Sequence, residues 1–306
     1  MRAAALGSIL VGGLGLIACG PPPREGGGGD DTGTPDARRI DSGGGPTGDA
    51  PDNCSDAAKV VYVVDINNTL STFMPPATFT DLGTLNCSQT GATPFSMGID
   101  RNALAWIVYS DGTLYNVDPT VSPLHCTPTT WVPDTAGELV FGMGFSTDAV
   151  NGDTDTLYVA GSSIYTNDTQ PELSAVDVTT SPVTAQNIGS ALPSWPELTG
   201  NSLAELWGFF PNRGSGNTKV GRIDKQTATL DPVFTFTGLG GGGLAGSFAF
   251  AFYGGNYYMF LSTTADTVVY SMDENGTLAS TSGTPTTRNI VGAGVSTCAP
   301  VVIGRQ

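Results

Sequence analysis

The chain has 306 residues, of which 42 are glycine and 21 proline, and only 13% are charged. This excludes a coiled coil, a helical repeat array or a long helical bundle, which need many Glu, Lys, Arg and Ala, and fits a turn-rich all-β protein. The net charge of −16 argues against a nucleic-acid surface or an anionic membrane surface as partner.

Residues 1–18 carry one early positive charge, Arg2, and then an apolar run from Ala3 to Ile17. That run is too short to span a bilayer comfortably and long enough for a secretion signal. It ends in Leu16, Ile17, Ala18 and Cys19, which resembles the bacterial lipobox. The resemblance implies cleavage before Cys19 and acylation of its thiol, palmitate included. Gly20, rather than Asp, follows the cysteine, which in that family implies the outer membrane or cell surface. Several acyl chains on one cysteine give a stable membrane anchor.

Residues 19–53 hold the lipidated cysteine and a linker. Ile40 is the one large apolar side chain after Cys19, so nothing there offsets the entropy of ordering the chain. Glycine makes the segment flexible, Pro21 to Pro23 stiffen its base, and its acidic residues extend it. A flexible tether of this length reaches on the order of 30 Å.

From residue 54 to 306 the chain repeats. Apolar runs begin at Leu104, Leu157, Leu206 and Tyr257, about 50 residues apart. A second set succeeds each of the first and ends at Asp118, Asp177, Asp224 and Asp273. Two units are preceded by a further shared pattern, Phe95 to Gly98 and Phe141 to Gly144. The runs are short, β-branched or aromatic, and bounded by Gly, Asp, Asn, Thr or Pro, which is the grammar of strands. An aspartate closing a strand can accept hydrogen bonds from backbone N–H groups two residues on, so these four read as turn formers.

A unit of about 50 residues with three or four such strands resembles a β-propeller blade. The resemblance implies an all-β propeller, most simply of five blades, with the first strand of each blade nearest the axis. The first unit lacks that strand: Val60–Asp65, Leu70–Met74 and Phe79–Leu85 read as strands two to four. The C-terminal run Val295–Ile303 is left over and is expected to supply it and close the ring. A two-sheet sandwich array is the alternative, and the regular repeat disfavours it.

With Cys19 lipidated, Cys54, Cys87, Cys126 and Cys298 remain, an even number in an exported domain, which predicts disulfides. Spacing alone permits three pairings. The propeller arrangement joins Cys54 to Cys298 across the ring closure, and Cys87 to Cys126 between outer strands of neighbouring blades. With no CxxC pair and one histidine, His125, no zinc or multi-histidine iron centre is expected.

Candidate chemistry is sparse. Asp148, Asn151, Asp153 and Asp155 place oxygen ligands close together and are the calcium candidates, without the EF-hand spacing or its closing Glu. Gly238 to Gly243 matches a dinucleotide-binding pattern by letters, but the residues after it read as a strand rather than a helix, so no phosphate site is expected. Five-bladed propellers include glycosidases with acidic residues lining the funnel. Asp100 and Asp148, at the ends of inner strands, and Glu205, before a second strand, are the candidate carboxylates for that chemistry. Trp106 and Trp207 fall inside strands and read as core, Trp131 is a further aromatic, and Trp195 on a loop is the exposed candidate for ligand contact. The expected function is a surface-anchored, non-catalytic lipoprotein presenting a propeller to a protein or glycan partner. A glycan-cleaving enzyme is the alternative.

Overall fold

The computed structural model describes residues 54–302, apart from 89, 135–136, 164–169, 214–215, 240–244, 264–265 and 281–282. The signal segment, Cys19, the linker to residue 53 and Ile303 lie outside the described residues.

The strands form five antiparallel sheets of four, the blades of a β-propeller. The first blade holds β1 (Val61–Asp65), β2 (Thr69–Met74) and β3 (Thr78–Thr84). The second holds β4 (Pro94–Ile99), β5 (Ala105–Tyr109), β6 (Leu114–Val117) and β7 (Cys126–Pro128). The third holds β8 (Val140–Thr147), β9 (Asp155–Ser162), β10 (Glu172–Asp177) and β11 (Thr184–Gly189). The fourth holds β12 (Glu197–Gly200), β13 (Leu206–Phe210), β14 (Thr218–Ile223) and β15 (Leu230–Phe236). The fifth holds β16 (Ser247–Tyr253), β17 (Asn256–Ser262), β18 (Thr267–Asp273) and β19 (Thr284–Thr286). The missing inner strand of the first blade is β20 (Ile290–Gly294), which pairs antiparallel with β1.

The ring therefore closes through the C-terminus, but not through the run expected to do it. Val295–Ile303 is the more apolar stretch. The strand is instead Ile290–Gly294, whose small residues suit an inner position. A Cβ on Gly292 would lie 2.9 Å from the backbone nitrogen of Met97 on the neighbouring inner strand. Only a residue without that atom lets β20 and β4 approach so closely. Val295, Cys298 and Ala299 are buried for a different reason: the chain turns across the end of the ring to reach Cys54.

Each inner strand (β20, β4, β8, β12, β16) lies against the inner strands of both neighbours. Gly142 does for β8 and β12 what Gly292 does for β20 and β4, since its Cβ would stand 2.9 Å from the Cα of Glu197. Five apolar clusters, one between each pair of adjacent blades, make up most of the core among the described residues, and a small sixth gathers Ala58, Ala103 and Cys298. Between the fifth and first blades, for example, Phe73 meets Phe260 edge-on at 5.0 Å. Burial falls outward: β5 is buried throughout, whereas β3 holds only exposed and half-buried residues. The fold is thus held by sheet-on-sheet contact around the ring, and every blade needs both neighbours.

The disulfides are Cys54–Cys298 and Cys87–Cys126. The first fastens the two ends of the described chain, and the second joins the outer margins of the first two blades. The recurrent aspartates form turns: the carboxylates of Asp118, Asp177, Asp224 and Asp273 accept from the N–H groups of Thr120, Thr179, Gln226 and Asn275 at 2.8–3.0 Å.

Candidate binding cleft

The turns from first to second strand of each blade open on one face of the ring. Asp100, Asp148 and Glu205 all lie there, in the second, third and fourth blades. Asp100 is occupied with its own turn: Oδ1 accepts from the N–H groups of Asn102 (2.8 Å) and Leu104 (2.9 Å), and Oδ2 accepts from the indole of Trp106 at 3.3 Å. Burial pushes its pKa up, partly offset by those hydrogen bonds. Asp148 is exposed and accepts from the Thr156 hydroxyl at 2.7 Å. Of the three, Glu205 lines a cleft at the fourth and fifth blades.

The calcium candidates do not converge. Asp155 turns to Arg101 at 2.9 Å and to the Thr297 hydroxyl at 2.6 Å, while Asp148 holds Thr156. Asp153 and Asn151 are exposed. Among the described residues no group of three or more His, Cys, Asp or Glu side chains stands close enough to hold a metal. Trp195, expected to be exposed, is 3% exposed, because the loop before β12 folds inward as the fourth blade's inner strand begins. Trp106, Trp131 and Trp207 are also buried. His125 is exposed beside Cys126. Residues 240–243 of the glycine run lie outside the described residues, and the next element in the chain is a strand, β16.

Around Glu205 the second and fourth blades use one turn twice. Asp100, Ala103 and Trp106 correspond to Asn201, Ala204 and Trp207. Both alanines adopt a left-handed backbone, with φ of 66° and 61°. The Asn201 Oδ1 accepts from the N–H groups of Leu203 (3.0 Å) and Glu205 (3.2 Å), as Asp100 does for its own turn. An asparagine also carries a donor, and Nδ2 reaches the Glu205 Oε2 at 3.1 Å. That same oxygen accepts from the Trp207 indole at 3.1 Å, the task Asp100 performs for Trp106. The other oxygen, Oε1, accepts from Arg222 Nη1 at 3.2 Å. Arg222 is fixed in turn by donating from Nε to the Asp231 carbonyl at 3.0 Å.

Glu205 and Arg222 form the shared wall of two adjoining cavities of about 250 and 480 Å³. The smaller, between the fourth and fifth blades, is backed by Trp207, Phe252 and Tyr257 and edged by Glu274 and Asn275. The larger runs outward to Asp224, Lys225 and Asp231. Tyr257, whose ring lies 4.6 Å from Trp207, is 1% exposed and carries a phenolic hydroxyl. Burial pushes that hydroxyl's pKa up strongly, and the Glu205 and Glu274 carboxylates add to the effect. The cleft thus offers a phenol, an oriented carboxylate and a half-exposed guanidinium against an aromatic back wall.

No protein-family profile matches the chain, and no curated protein matches it. Solved structures resemble it at low identity. A chain of a nidogen/laminin complex is 16% identical with a TM-score of 0.45, covering 78% of this chain and 80% of that one. TolB from Acinetobacter baumannii is 12% identical with a TM-score of 0.41, over 78% and 68%. The Dos1 propeller is 13% identical with a TM-score of 0.40, over 76% of this chain and 55% of its own.

Proposed function

We propose that this chain is a lipid-anchored binding protein of the bacterial outer membrane or cell surface, whose propeller takes a glycan in the Glu205 cleft. Cys19 carries the anchor, residues 20–53 are the tether and the ring from residue 54 is the receptor. The observation that carries the glycan assignment is the cleft's polar set. Tyr257, Glu205 and Arg222 pair donors and acceptors at fixed positions beside a 250 Å³ space. Adjacent hydroxyls of a sugar ring match such pairs, and the aromatic wall shields them from water. A protein partner on the same face is the other occupant of this reading.

Binding to an immobilised oligosaccharide array tests the assignment. The expected result is saturable binding of at least one glycan class by residues 54–306, lost in Arg222→Ala and weakened in Glu205→Gln. Equal glycan binding by wild type and Arg222→Ala would contradict it. The anchor has a separate test: Cys19→Ser is expected to release the full chain from the membrane fraction, and continued retention would remove the anchor.

One observation favours the second reading, a glycan-cleaving enzyme. Glu205 and Glu274 line the same cavity and both act on Tyr257, so two carboxyl groups face one space. Acid–base or nucleophilic glycoside cleavage needs such a pair. Release of reducing ends from a bound oligosaccharide, abolished by Glu205→Gln with binding retained, identifies this activity; binding without release leaves the protein a receptor.

A further inference from the structure

The inner strands begin on the face opposite the cleft, and there they enclose a separate cavity of about 180 Å³. Phe95, Phe248, Ile66 and Val291 give it apolar walls. The one ionisable side chain among the residues lining it is Glu197, the first residue of β12, which is only 2% exposed.

The surroundings orient this carboxyl group as an acceptor. The Ser96 hydroxyl accepts from the Met143 N–H at 3.2 Å, so its own proton points to Glu197 Oε2 at 2.7 Å. The group is therefore held by a donor on one side and faces an apolar space on the other. Burial raises its pKa well above the carboxylate range, opposed by the Ser96 hydroxyl and the Met143 N–H. Arg213 is the charged side chain beside the cavity wall, with its guanidinium 5.8 Å from the centre of the Phe248 ring. It is not among the residues lining the cavity. A buried carboxylate is stable only when paired. An oriented acceptor at one end and aromatic walls around it match a cation with a hydrocarbon body.

We propose that this axial cavity binds a small apolar primary amine, held as its ammonium ion against Glu197 with its hydrocarbon body against Phe95 and Phe248. The acidic chain, at −16, favours the approach of such a cation. Where Glu197 is protonated in the free protein, the ammonium ion displaces its proton to solvent and an ion pair forms. No bond to carbon changes. The site is remote from the Glu205 cleft, so its fate is independent of the glycan reading.

Titration calorimetry with benzylamine, run in buffers of different ionisation enthalpy, tests the proposal. Wild type is expected to bind benzylamine saturably and to release up to one proton per amine bound. Affinity should rise by up to about tenfold per pH unit until Glu197 ionises unaided, then decline as benzylamine, less basic than a lysine amine, loses its own proton at about pH 9. Benzyl alcohol, the neutral analogue, should bind at least tenfold more weakly. Glu197→Gln keeps an acceptor for Ser96 and should lose both amine binding and proton release. Comparable binding of the alcohol, or unchanged binding in Glu197→Gln, would overturn the assignment. If Glu197→Gln fails to fold, the amine–alcohol comparison on wild type decides alone.

Discussion

Ser96 and Glu197 are joined by a 2.7 Å hydrogen bond that runs from the inner strand of the second blade to that of the fourth. Because Ser96 also accepts from Met143 on β8, three consecutive inner strands meet at one hydroxyl. Replacing Ser96 with Ala takes a donor from the Glu197 carboxyl and an acceptor from the Met143 N–H. Loss of about 1–3 kcal/mol is expected, read as a shift in the urea midpoint at pH 5.

Acid residues buried in this way set the direction of the pH dependence. Glu138, buried beside Ser174, is raised from 4.5 to about 7, chiefly by burial, with a contribution from Glu172. A carboxyl group whose pKa is higher folded than unfolded binds its proton more tightly in the native state. Its contribution is therefore fully present below pH 4.5 and is lost as pH rises toward 7, by up to about 3 kcal/mol. Glu197 acts in the same sense above 4.5. The melting temperature of Glu138→Gln measured from pH 5 to 8 should fall less steeply than that of wild type; parallel profiles would contradict this account.

The two disulfides should differ in worth. Cys54–Cys298 spans 244 residues and Cys87–Cys126 spans 39. The chain-entropy relation makes the longer closure more stabilising by about 1–2 kcal/mol. Cys54→Ser with Cys298→Ser should therefore lower the denaturation midpoint more than Cys87→Ser with Cys126→Ser, in side-by-side chemical denaturation.

Close approach at the axis predicts a cost for the smallest possible enlargement. Gly292→Ala would place a methyl group 2.9 Å from the Met97 nitrogen, between two backbones that cannot easily separate. A loss of about 1–3 kcal/mol is expected by calorimetry. Gly238→Ala is a poor control because of its φ of 78°, whereas Gly246, whose Cβ would meet nothing nearer than 3.6 Å, is a suitable one.

Asn201 makes a prediction about the cleft itself. Its amide donates to Glu205, and an aspartate there would place a second carboxylate beside the first. Asn201→Asp should keep the turn, as Asp100 does in the second blade, but repel Glu205 and weaken binding at the cleft. Asp100→Asn, by contrast, should leave binding at the Glu205 cleft unchanged. Comparing the two substitutions by ligand affinity checks whether Asn201 positions Glu205.

Much of the ring is legible from short apolar runs, because inter-blade packing demands β-branched and aromatic residues at regular intervals. Leu104, Leu157, Leu206 and Tyr257 mark the second strands, β5, β9, β13 and β17, and the cysteine pairs accord with the ring. The same pattern misplaces the closing strand, since apolarity favours Val295–Ile303 while the axis selects small residues such as Gly292 and Ala293. It passes over Glu197, a polar residue in a strand of only four. It also misses the correspondence of Asp100, Ala103 and Trp106 with Asn201, Ala204 and Trp207, although both triplets keep the same spacing. That signal lies in polar and small residues, which a search for apolar runs discards. Trp195 departs from its expected exposure because loop position does not determine burial where a connection dives toward the axis.

A crystal structure of residues 54–306 with an oligosaccharide identified on the array tests glycan binding at the Glu205 cleft most directly. Sugar hydroxyls are expected within hydrogen-bond distance of Glu205, Arg222 and Tyr257, between the β12–β13 and β16–β17 turns. A saccharide seated elsewhere on the ring, with this cleft holding only water, would contradict it.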